Sequence, residues 1–456
     1  MSTNLAIAEL SPGARDAGGV REVALLASPV LVQMLSETLM QVLSSAMVGR
    51  LGPSELGGVG LGGIWLWTLL CPFVGAATGV SVFVSRAYGA GRERECGRWV
   101  WQGLAVLVPA AVLWTFAVAA FFPILIGLVD PSPELEQQTL AYVTGRLAGL
   151  PAVAAGAAVT SFFRGLGNTR VPMFATIATV AIQAALAYGL IFGHFGLPAL
   201  GVMGAGIAFA IAEWVYAAIL FVCLFRRATR DAFDTLPSAP ERAQVRRFFR
   251  TSAPIGGQWL LDMLSFALFS SIVARMGDAE MAASQAMIQL LSLSFMQAVA
   301  ISVSSGALVG RYLGADDPDA AARSYASAMK LAMVLAGIVA ALFLGAPELL
   351  MRVFSSDAEV LALARPLLVL GALFQLIDAI GIVAGGSLRG GGDTRWPFFV
   401  HATLAWAARL PFVWLLAVHF DGGVFGAWLG ELGYIALLGL AFALRFRSGK
   451  WKTMRP

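Results

Sequence analysis

Charged side chains are scarce in this chain, and their scarcity excludes a protein that mainly faces water. Only 13% of the 456 residues are Asp, Glu, Lys or Arg, against about 25% in soluble domains. Apolar residues make up 58% of the chain, and the mean hydropathy is +0.78. Apolar runs of about 20 residues, the length of a membrane-spanning helix, recur throughout. The composition therefore predicts an all-α integral membrane protein.

Cysteine and histidine are also rare, with three residues of each kind. An odd number of cysteines argues against a disulfide framework, and their spacing fits no metal site. The histidines fall singly near the ends of apolar runs, where an interfacial role is expected. The sequence lacks a Walker A loop, an HExxH motif and a nucleophile elbow, so we expect no enzyme activity and no cofactor. The six residues are Cys71, Cys96, Cys223, His194, His401 and His419.

Twelve apolar runs are long enough to cross a bilayer, six in each half of the chain. No apolar stretch precedes the first run, so we expect no signal peptide. The expected spans are residues 23–49, 57–84, 99–122, 138–163, 171–194, 202–225, 251–274, 281–309, 324–346, 361–387, 397–419 and 424–444.

Basic residues outside these runs predict the orientation of the chain. With a cytoplasmic N-terminus, all but six of the 31 Lys and Arg residues fall in cytoplasmic segments, as the positive-inside rule requires. This asymmetry explains the pI near 9.1 without nucleic-acid binding. We expect both termini in the cytoplasm, in a plasma membrane or bacterial inner membrane. The expected divisions are a cytoplasmic segment (1–22), an amino-terminal lobe with helices 1–6 (23–225), a basic linker (226–250), a carboxy-terminal lobe with helices 7–12 (251–444) and a basic cytoplasmic tail (445–456).

An ungapped internal repeat relates the two halves. The segment SFFRGLGNTRVP at Ser161–Pro172 returns as GSLRGGGDTRWP at Gly386–Pro397, an offset of 225 positions. The same offset relates Pro29 to Pro254. The glycine-rich segments lie between spans and are expected to form tight cytoplasmic turns rather than phosphate-binding loops. With six spans per copy, the copies are parallel pseudo-symmetric repeats, an architecture typical of transporters with alternating access.

Two carboxylates in the second copy lie at matched depths within spans. Asp262 is about 18 Å and Asp378 about 15 Å from the expected cytoplasmic ends of spans 7 and 10, at 1.5 Å per residue. Both depths fall near the middle of a hydrocarbon core about 30 Å thick. A charge at this depth is costly and indicates function. The pair could share a proton or bind a small cation. The alternative is that the two carboxyl groups act independently and form no functional pair.

Glu37 is the repeat counterpart of Asp262, whereas Val153 stands opposite Asp378. A glutamine precedes each member of the first pair by four residues, on the same helix face. These glutamines are Gln33 and Gln258. Each copy thus presents a Gln–carboxylate stripe, and the coupling chemistry should concentrate in the second copy.

Four other charged residues fall within or near spans. Helix packing could explain Glu213, and Glu431 is expected to be interfacial because it lies about two turns from the outer end of span 12. Arg146 could extend its head to the outer interface. Arg409 is deeper and is expected to need a carboxylate partner, which the sequence does not identify.

Several segments resemble the multidrug and toxic compound extrusion (MATE) family, and span 10 is similar to its NorM-like branch. The resemblance covers nearly the whole chain. It implies twelve helices in two six-helix bundles arranged as a V. It also implies export of organic cations or amphipathic drugs, driven by inward flow of H⁺ or Na⁺. The segments are PVLVQMLSETLMQVLSSAMVGRLG, GLGGIWLW, FRGLGNTRVP, LRGGGDTRWP and FQLIDAIGIVAGGSLRG.

The family pattern carries over unevenly. The resemblance implies that Asp262 and Asp378 form the cation-coupling site, with Na⁺ bound there if Na⁺ is the coupling ion. Phe374 stands where the branch has a Tyr ligand, and Ser44 stands where the family often has an Asp. Either the second copy alone couples, or Glu37 replaces the missing charge. Candidate supporting polar residues are Gln33, Gln258, Ser44 and Gln285.

The resulting expectation is a secondary antiporter that exports cationic or amphipathic drugs. Because Phe374 offers no oxygen and Asp262 is shorter than Glu, H⁺ is favoured over Na⁺. The alternative is a flippase for lipid-linked precursors, but the acidic charges within the spans suit cationic cargo better than anionic pyrophosphates. The expected partners are small-molecule drugs and the lipid bilayer. The sequence fixes no oligomeric state, and we expect a monomer.

Overall fold

A computed structural model describes residues 17–129, 131–352 and 358–454, and these residues contain helices but no strand. Among them, eleven helices are long and apolar enough to cross a membrane. Two shorter helices, bent by 53° at a short break, together form a twelfth candidate span. The prediction of an all-α protein with twelve membrane helices is confirmed.

The helices follow the two repeats in order. The first repeat contains α1 (Val20–Val48), α2 (Pro53–Gly89), α3 (Glu93–Val129), α4 (Pro133–Leu147), α5 (Leu150–Gly165), α6 (Arg170–Phe192) and α7 (Gly201–Phe225). The second repeat follows the short α8 (Arg227–Phe233) and contains α9 (Arg242–Ala274), α10 (Asp278–Gly314), α11 (Pro318–Gly345), α12 (Pro347–Arg352), α13 (Ala358–Gly390), α14 (Arg395–Leu404), α15 (Leu410–Trp414) and α16 (Gly423–Arg447). Two π-helical turns, Ala405–Arg409 and Leu415–His419, flank α15.

The glycine-rich repeat motif forms the same tight turn in both copies. Gly167 and Gly392 adopt φ values of 80° and 87°, in the left-handed region that glycine occupies without steric cost. Each donates its backbone N–H to the carbonyl of the arginine three residues earlier, at 3.0 and 2.9 Å. The next helix begins three residues after each glycine. The predicted turn is confirmed at both positions.

The fourth span is broken, whereas its counterpart α13 is continuous. Pro151 explains the break, because its ring lacks an N–H and clashes with the carbonyl four residues earlier. That carbonyl belongs to Leu147, where α4 ends. The counterpart of Pro151 in α13 is Leu376, which permits an unbroken helix.

The eleventh span is irregular next to another proline. The π-helical turn Ala405–Arg409 ends directly before α15, in which Pro411 is the second residue. A π-helical turn changes the hydrogen-bond register and often marks a functional site. Its counterpart in α6 is regular and has Leu186 at the proline position.

The described residues form two compact units. Those between 29 and 256 form the first unit, and those before 29 or after 256 form the second unit. Helices α1 and α9 therefore each contribute residues to both units. Within the second unit, the start of α1 is fixed by Glu22, which accepts hydrogen bonds from Tyr312 Oη at 2.7 Å and from the Gly18 N–H at 2.9 Å.

The stretch predicted as a linker is tied to the first unit. Trp101 Nε1 donates to the carbonyl of Thr235 at 3.1 Å, and Gln102 Oε1 accepts the Glu241 N–H at 3.0 Å. Both side chains lie on α3. Helix α9 then begins at Arg242, nine residues before the predicted start of span 7.

Small residues bring α10 and α13 into close contact in the second unit. A Cβ on Gly390 would collide with the Gly306 carbonyl oxygen, and one on Gly306 would lie 2.8 Å from the Gly386 carbonyl oxygen. Membrane helices rely on such close van der Waals packing because lipid supplies little hydrophobic driving force between them.

Replacing Gly390 with Ala should destabilise the protein by about 1–3 kcal/mol, because the added methyl group forces α10 and α13 apart. The matched control is Gly337→Ala in α11, where a Cβ meets no atom within 4 Å. We expect the control to be neutral or slightly stabilising. Thermal unfolding in detergent measures both effects, and equal midpoints for the two variants would contradict the packing argument.

Candidate functional site

Asp262 on α9 is held by two side chains from the eleventh span. Its Oδ1 lies 3.1 Å from Arg409 Nη1 and 3.2 Å from His401 Nε2. About a third of the Asp262 side chain is exposed, whereas His401 and Arg409 are buried. The carboxylate predicted from the sequence thus belongs to a cluster of polar groups rather than standing alone.

Arg409 is the centre of this cluster. Its Nη1 donates to Ser265 Oγ at 2.8 Å, and its Nη2 donates to Glu431 Oε1 at 2.8 Å. The guanidinium also lies over the Tyr434 ring, 4.2 Å from the centroid, in a cation–π arrangement. The carboxylate partners that the sequence required but did not identify are therefore Asp262 and Glu431.

Glu431, which was expected to be interfacial, is buried inside the second unit. The residue is 1% exposed and binds Arg409. The estimate from the sequence counted turns from the helix end, but α16 turns Glu431 toward α9 and the eleventh span. Burial of this carboxylate is tolerable because a charged partner and a charge-assisted hydrogen bond are present.

His401, for which an interfacial role was also expected, is buried as well, at 6% exposure. Its Nδ1 lies 3.3 Å from Gln258 Nε2, and its Nε2 lies 3.4 Å from Tyr434 Oη. Gln258 therefore contacts the histidine and supports Asp262 indirectly. Sequence reasoning missed this residue, although His401 and Arg409 are eight positions apart, a spacing that places both on one helix face.

Asp378 on α13 differs from Asp262 because, within the described residues, it forms no hydrogen bond or ion pair. It is partly exposed and interacts electrostatically with Asp262, Glu431 and Arg409. The two predicted carboxylates are therefore neighbours within one unit. Three residues earlier on α13, Gln375 is buried, and neither of its amide atoms has a partner among the described residues.

The predicted Gln–carboxylate stripe is present in the first unit. Gln33 Nε2 donates to Glu37 Oε1 at 3.0 Å, and Gln33 Oε1 accepts from Arg164 Nη2 at 2.9 Å. Tyr216 Oη lies 3.2 Å from Gln33 Nε2. Glu37 itself is exposed. The stripe is therefore tied to the arginine of the repeat motif.

The two remaining candidates lie apart from these groups. Ser44 is buried, and its hydroxyl has no hydrogen-bond partner among the described residues. Gln285 is exposed on α10, and within the described part of the chain it forms no hydrogen bond with Asp262 or Asp378. Neither residue joins a carboxylate cluster.

Arg146 forms a looser pair in the first unit. Its Nη2 lies 3.9 Å from Glu213 Oε1, and its Nη1 donates to Tyr142 Oη at 2.9 Å. The guanidinium lies over Phe209, 4.3 Å from the ring centroid. Both Arg146 and Glu213 are partly exposed, so this pair is less desolvated than the pair of Arg409 and Glu431.

This difference in burial predicts different costs of neutralisation. Glu431→Gln should destabilise the protein by roughly 3 kcal/mol, because the buried guanidinium loses one of its two charged partners. Glu213→Gln is the matched control and should cost less than about 1 kcal/mol. Thermal or chemical unfolding in detergent compares the variants. A larger loss for Glu213→Gln would contradict the role assigned to the buried cluster.

Comparisons with known proteins agree with this architecture. The MatE family model matches residues 29–189 and 254–415, one match in each repeat. The chain is 30% identical over 455 residues to the multidrug resistance protein PmpM of Pseudomonas aeruginosa, covering 97% of this chain and 93% of that protein. It is 29% identical over 437 residues to a probable multidrug resistance protein NorM of Thermotoga maritima, covering 95% and 93%.

Solved structures support the same fold. The eukaryotic MATE transporter AtDTX14 aligns with a TM-score of 0.84 at 20% identity, over 95% of this chain and 96% of that one. An outward-facing multidrug resistance MATE family transporter aligns with a TM-score of 0.86 at 18% identity, over 97% and 99%. The expectations of a multi-pass membrane transporter and of no enzyme activity are confirmed. The chain belongs to the MatE family.

Proposed function

We propose that this protein exports small cationic or amphipathic drugs in exchange for protons, with coupling at Asp262 and Asp378. The observation that carries the proposal is the contrast between these neighbouring carboxylates. Asp262 is bound by Arg409 and His401, whereas Asp378 has no hydrogen bond or ion pair within the described residues. One carboxylate is thus already paired, and the other can accept a proton or an external cation.

Coupling requires that proton binding change the relative stability of two transporter conformations. A proton on Asp378 removes a negative charge from the surroundings of Asp262, Glu431 and Arg409, with which Asp378 interacts. Such a change alters the balance of attraction on the buried guanidinium. Because the interior has a low effective dielectric constant, neutralising one charge there has a larger effect than in water.

The proposed substrates follow from the sign of the charge. Asp262, Glu431 and Asp378 outnumber Arg409 in this part of the second unit, so the local charge is negative unless protons bind. That charge attracts cations and disfavours the pyrophosphate of a lipid-linked precursor. The names of the relatives, multidrug resistance proteins PmpM and NorM, favour the same substrate class. We also propose a plasma or bacterial inner membrane location with both termini in the cytoplasm.

Asp378→Asn should reduce export driven by a pH gradient at least about tenfold, because the amide cannot take up and release the coupling proton. Asp262→Asn should also reduce export. Glu95→Gln is the control, since the partly exposed Glu95 pairs with Arg92 near the start of α3. Proteoliposomes with a fluorescent cationic drug and an imposed pH gradient measure the rates. Wild-type rates for both Asp variants would disprove the coupling site.

The driving ion is tested with gradients imposed separately on the wild-type protein. Export should follow a pH gradient in the absence of Na⁺, because a proton can bind a carboxylate without a shell of oxygen ligands. A Na⁺ gradient at equal pH should not drive export. Strict dependence on Na⁺ would contradict proton exchange. Transport of a lipid-linked pyrophosphate without drug export would instead support a flippase.

A further inference from the structure

We infer that Arg409 acts as a built-in cation that excludes Na⁺ from the coupling carboxylates, and that Glu431 holds it in this position. Arg409 would then be the residue that determines the ion specificity of the transporter. This inference rests on the proposed function, because it concerns the same carboxylates, but the binding of Na⁺ can be tested without transport.

Arg409 already occupies the place that a cation would take at Asp262. Its Nη1 lies 3.1 Å from Asp262 Oδ1, and the same oxygen lies 3.2 Å from His401 Nε2. A Na⁺ ion at this carboxylate would face a permanent positive charge, since arginine stays protonated in proteins. The repulsion between two cations a few ångströms apart is strong in a low-dielectric interior.

Glu431 keeps Arg409 in place independently of Asp262. The guanidinium donates to Glu431 Oε1 and Ser265 Oγ, both at 2.8 Å, and lies over the Tyr434 ring. If Asp262 were neutralised, these three contacts would still hold the cation. Departure of Arg409 would leave Glu431 buried and unpaired, which is strongly unfavourable. A Na⁺ ion therefore cannot easily displace the arginine.

The oxygen ligands expected for Na⁺ are also incomplete. Phe374 lies on α13 one turn before Asp378 and provides no oxygen. Its ring packs edge-on against Trp428, with centroids 5.9 Å apart. Carboxylate, carbonyl and water oxygens suit hard cations, but a proton needs only one lone pair. The arrangement thus admits a proton and disfavours a metal ion.

The first repeat lacks this arrangement. The repeat counterparts of Arg409, Glu431 and Ser265 are Ala184, Gly206 and Met40. The eleventh span is also the one with a π-helical turn, which ends at Arg409, whereas its counterpart α6 is regular. The cluster of Arg409, Glu431 and Ser265 is therefore particular to the second repeat, because the arginine and acid that pair in the first repeat, Arg146 and Glu213, stand at other repeat positions.

The test removes the internal cation and its anchor together. Arg409→Gln with Glu431→Gln keeps the net charge of the protein and most of the side-chain volume. In this double variant we expect Na⁺ to bind about 10- to 100-fold more tightly than in wild type, because a like charge has been removed from beside Asp262. Thermal unfolding of purified protein in NaCl and in KCl, titrated at constant ionic strength, measures Na⁺ binding directly.

Two further variants make the result interpretable. Arg409→Lys keeps a positive charge and should remain as insensitive to Na⁺ as the wild type. Arg409→Met with Glu431→Leu replaces the buried pair with apolar side chains, a change that proteins often tolerate. This second double variant should also gain Na⁺ binding if the glutamine variant fails to fold. Adding Asp378→Asn to either double variant should abolish the gain.

A folded double variant that responds equally to NaCl and KCl would overturn the inference, and so would Na⁺-specific stabilisation of the wild type. Drug export in proteoliposomes is measured separately. Gained Na⁺ binding with no drug export by the wild type would refute the proposed function while supporting the exclusion of Na⁺ by Arg409. Drug export by the wild type without gained Na⁺ binding in the folded variants would support the proposed function and refute the exclusion of Na⁺ by Arg409.

Discussion

The burial of one guanidinium between two carboxylates organises the second unit. Arg409 brings together α9, the eleventh span and α16, because its partners are Asp262, Ser265, Glu431 and Tyr434. Burying an arginine without charged partners would be very costly in free energy. This cost opposes any sliding of the three helices that would separate Arg409 from its partners. The same constraint places His401 against Asp262. The surroundings of the Asp262 carboxylate and the packing of the helices are thus aspects of a single interaction.

Much of the fold could be predicted from the sequence because membrane helices are specified by composition and length. The repeat offset also predicted the paired turns at Gly167 and Gly392, since glycine is needed for the left-handed backbone. The broken fourth span was missed, although Pro151 was a local signal. A proline removes a hydrogen bond without altering the apolar character of the run.

The site was less predictable. The sequence pointed to Asp262 and Asp378 because charges inside spans are rare, and it predicted that Arg409 needs a carboxylate. It could not identify Glu431 or His401 as members of the cluster. In a span that is apolar on nearly all sides, hydrophobic periodicity does not fix the rotation of the helix about its axis. That rotation decides whether a polar residue faces lipid or a neighbouring helix, and the π-helical turn before Pro411 changes it further.

Comparison of the repeats separates what the duplicated scaffold provides from what each copy added. Phe209 and Tyr434 are repeat counterparts, and each lies beneath a guanidinium at similar distance. The two arginines come from different spans of their repeats. When the repeats are superimposed by the 225-residue offset, the acids that pair with them, Glu213 and Glu431, lie about two helical turns apart on the same helix face. The duplicated fold therefore provides an aromatic surface that favours a cation, and each copy supplied that cation separately.

Because both units have an arginine of this kind, the arginine alone does not distinguish the second unit from the first. The distinguishing feature is the neighbouring carboxylate Asp378, opposite Val153 in the first copy, which adds a negative charge that the internal cation does not pair directly.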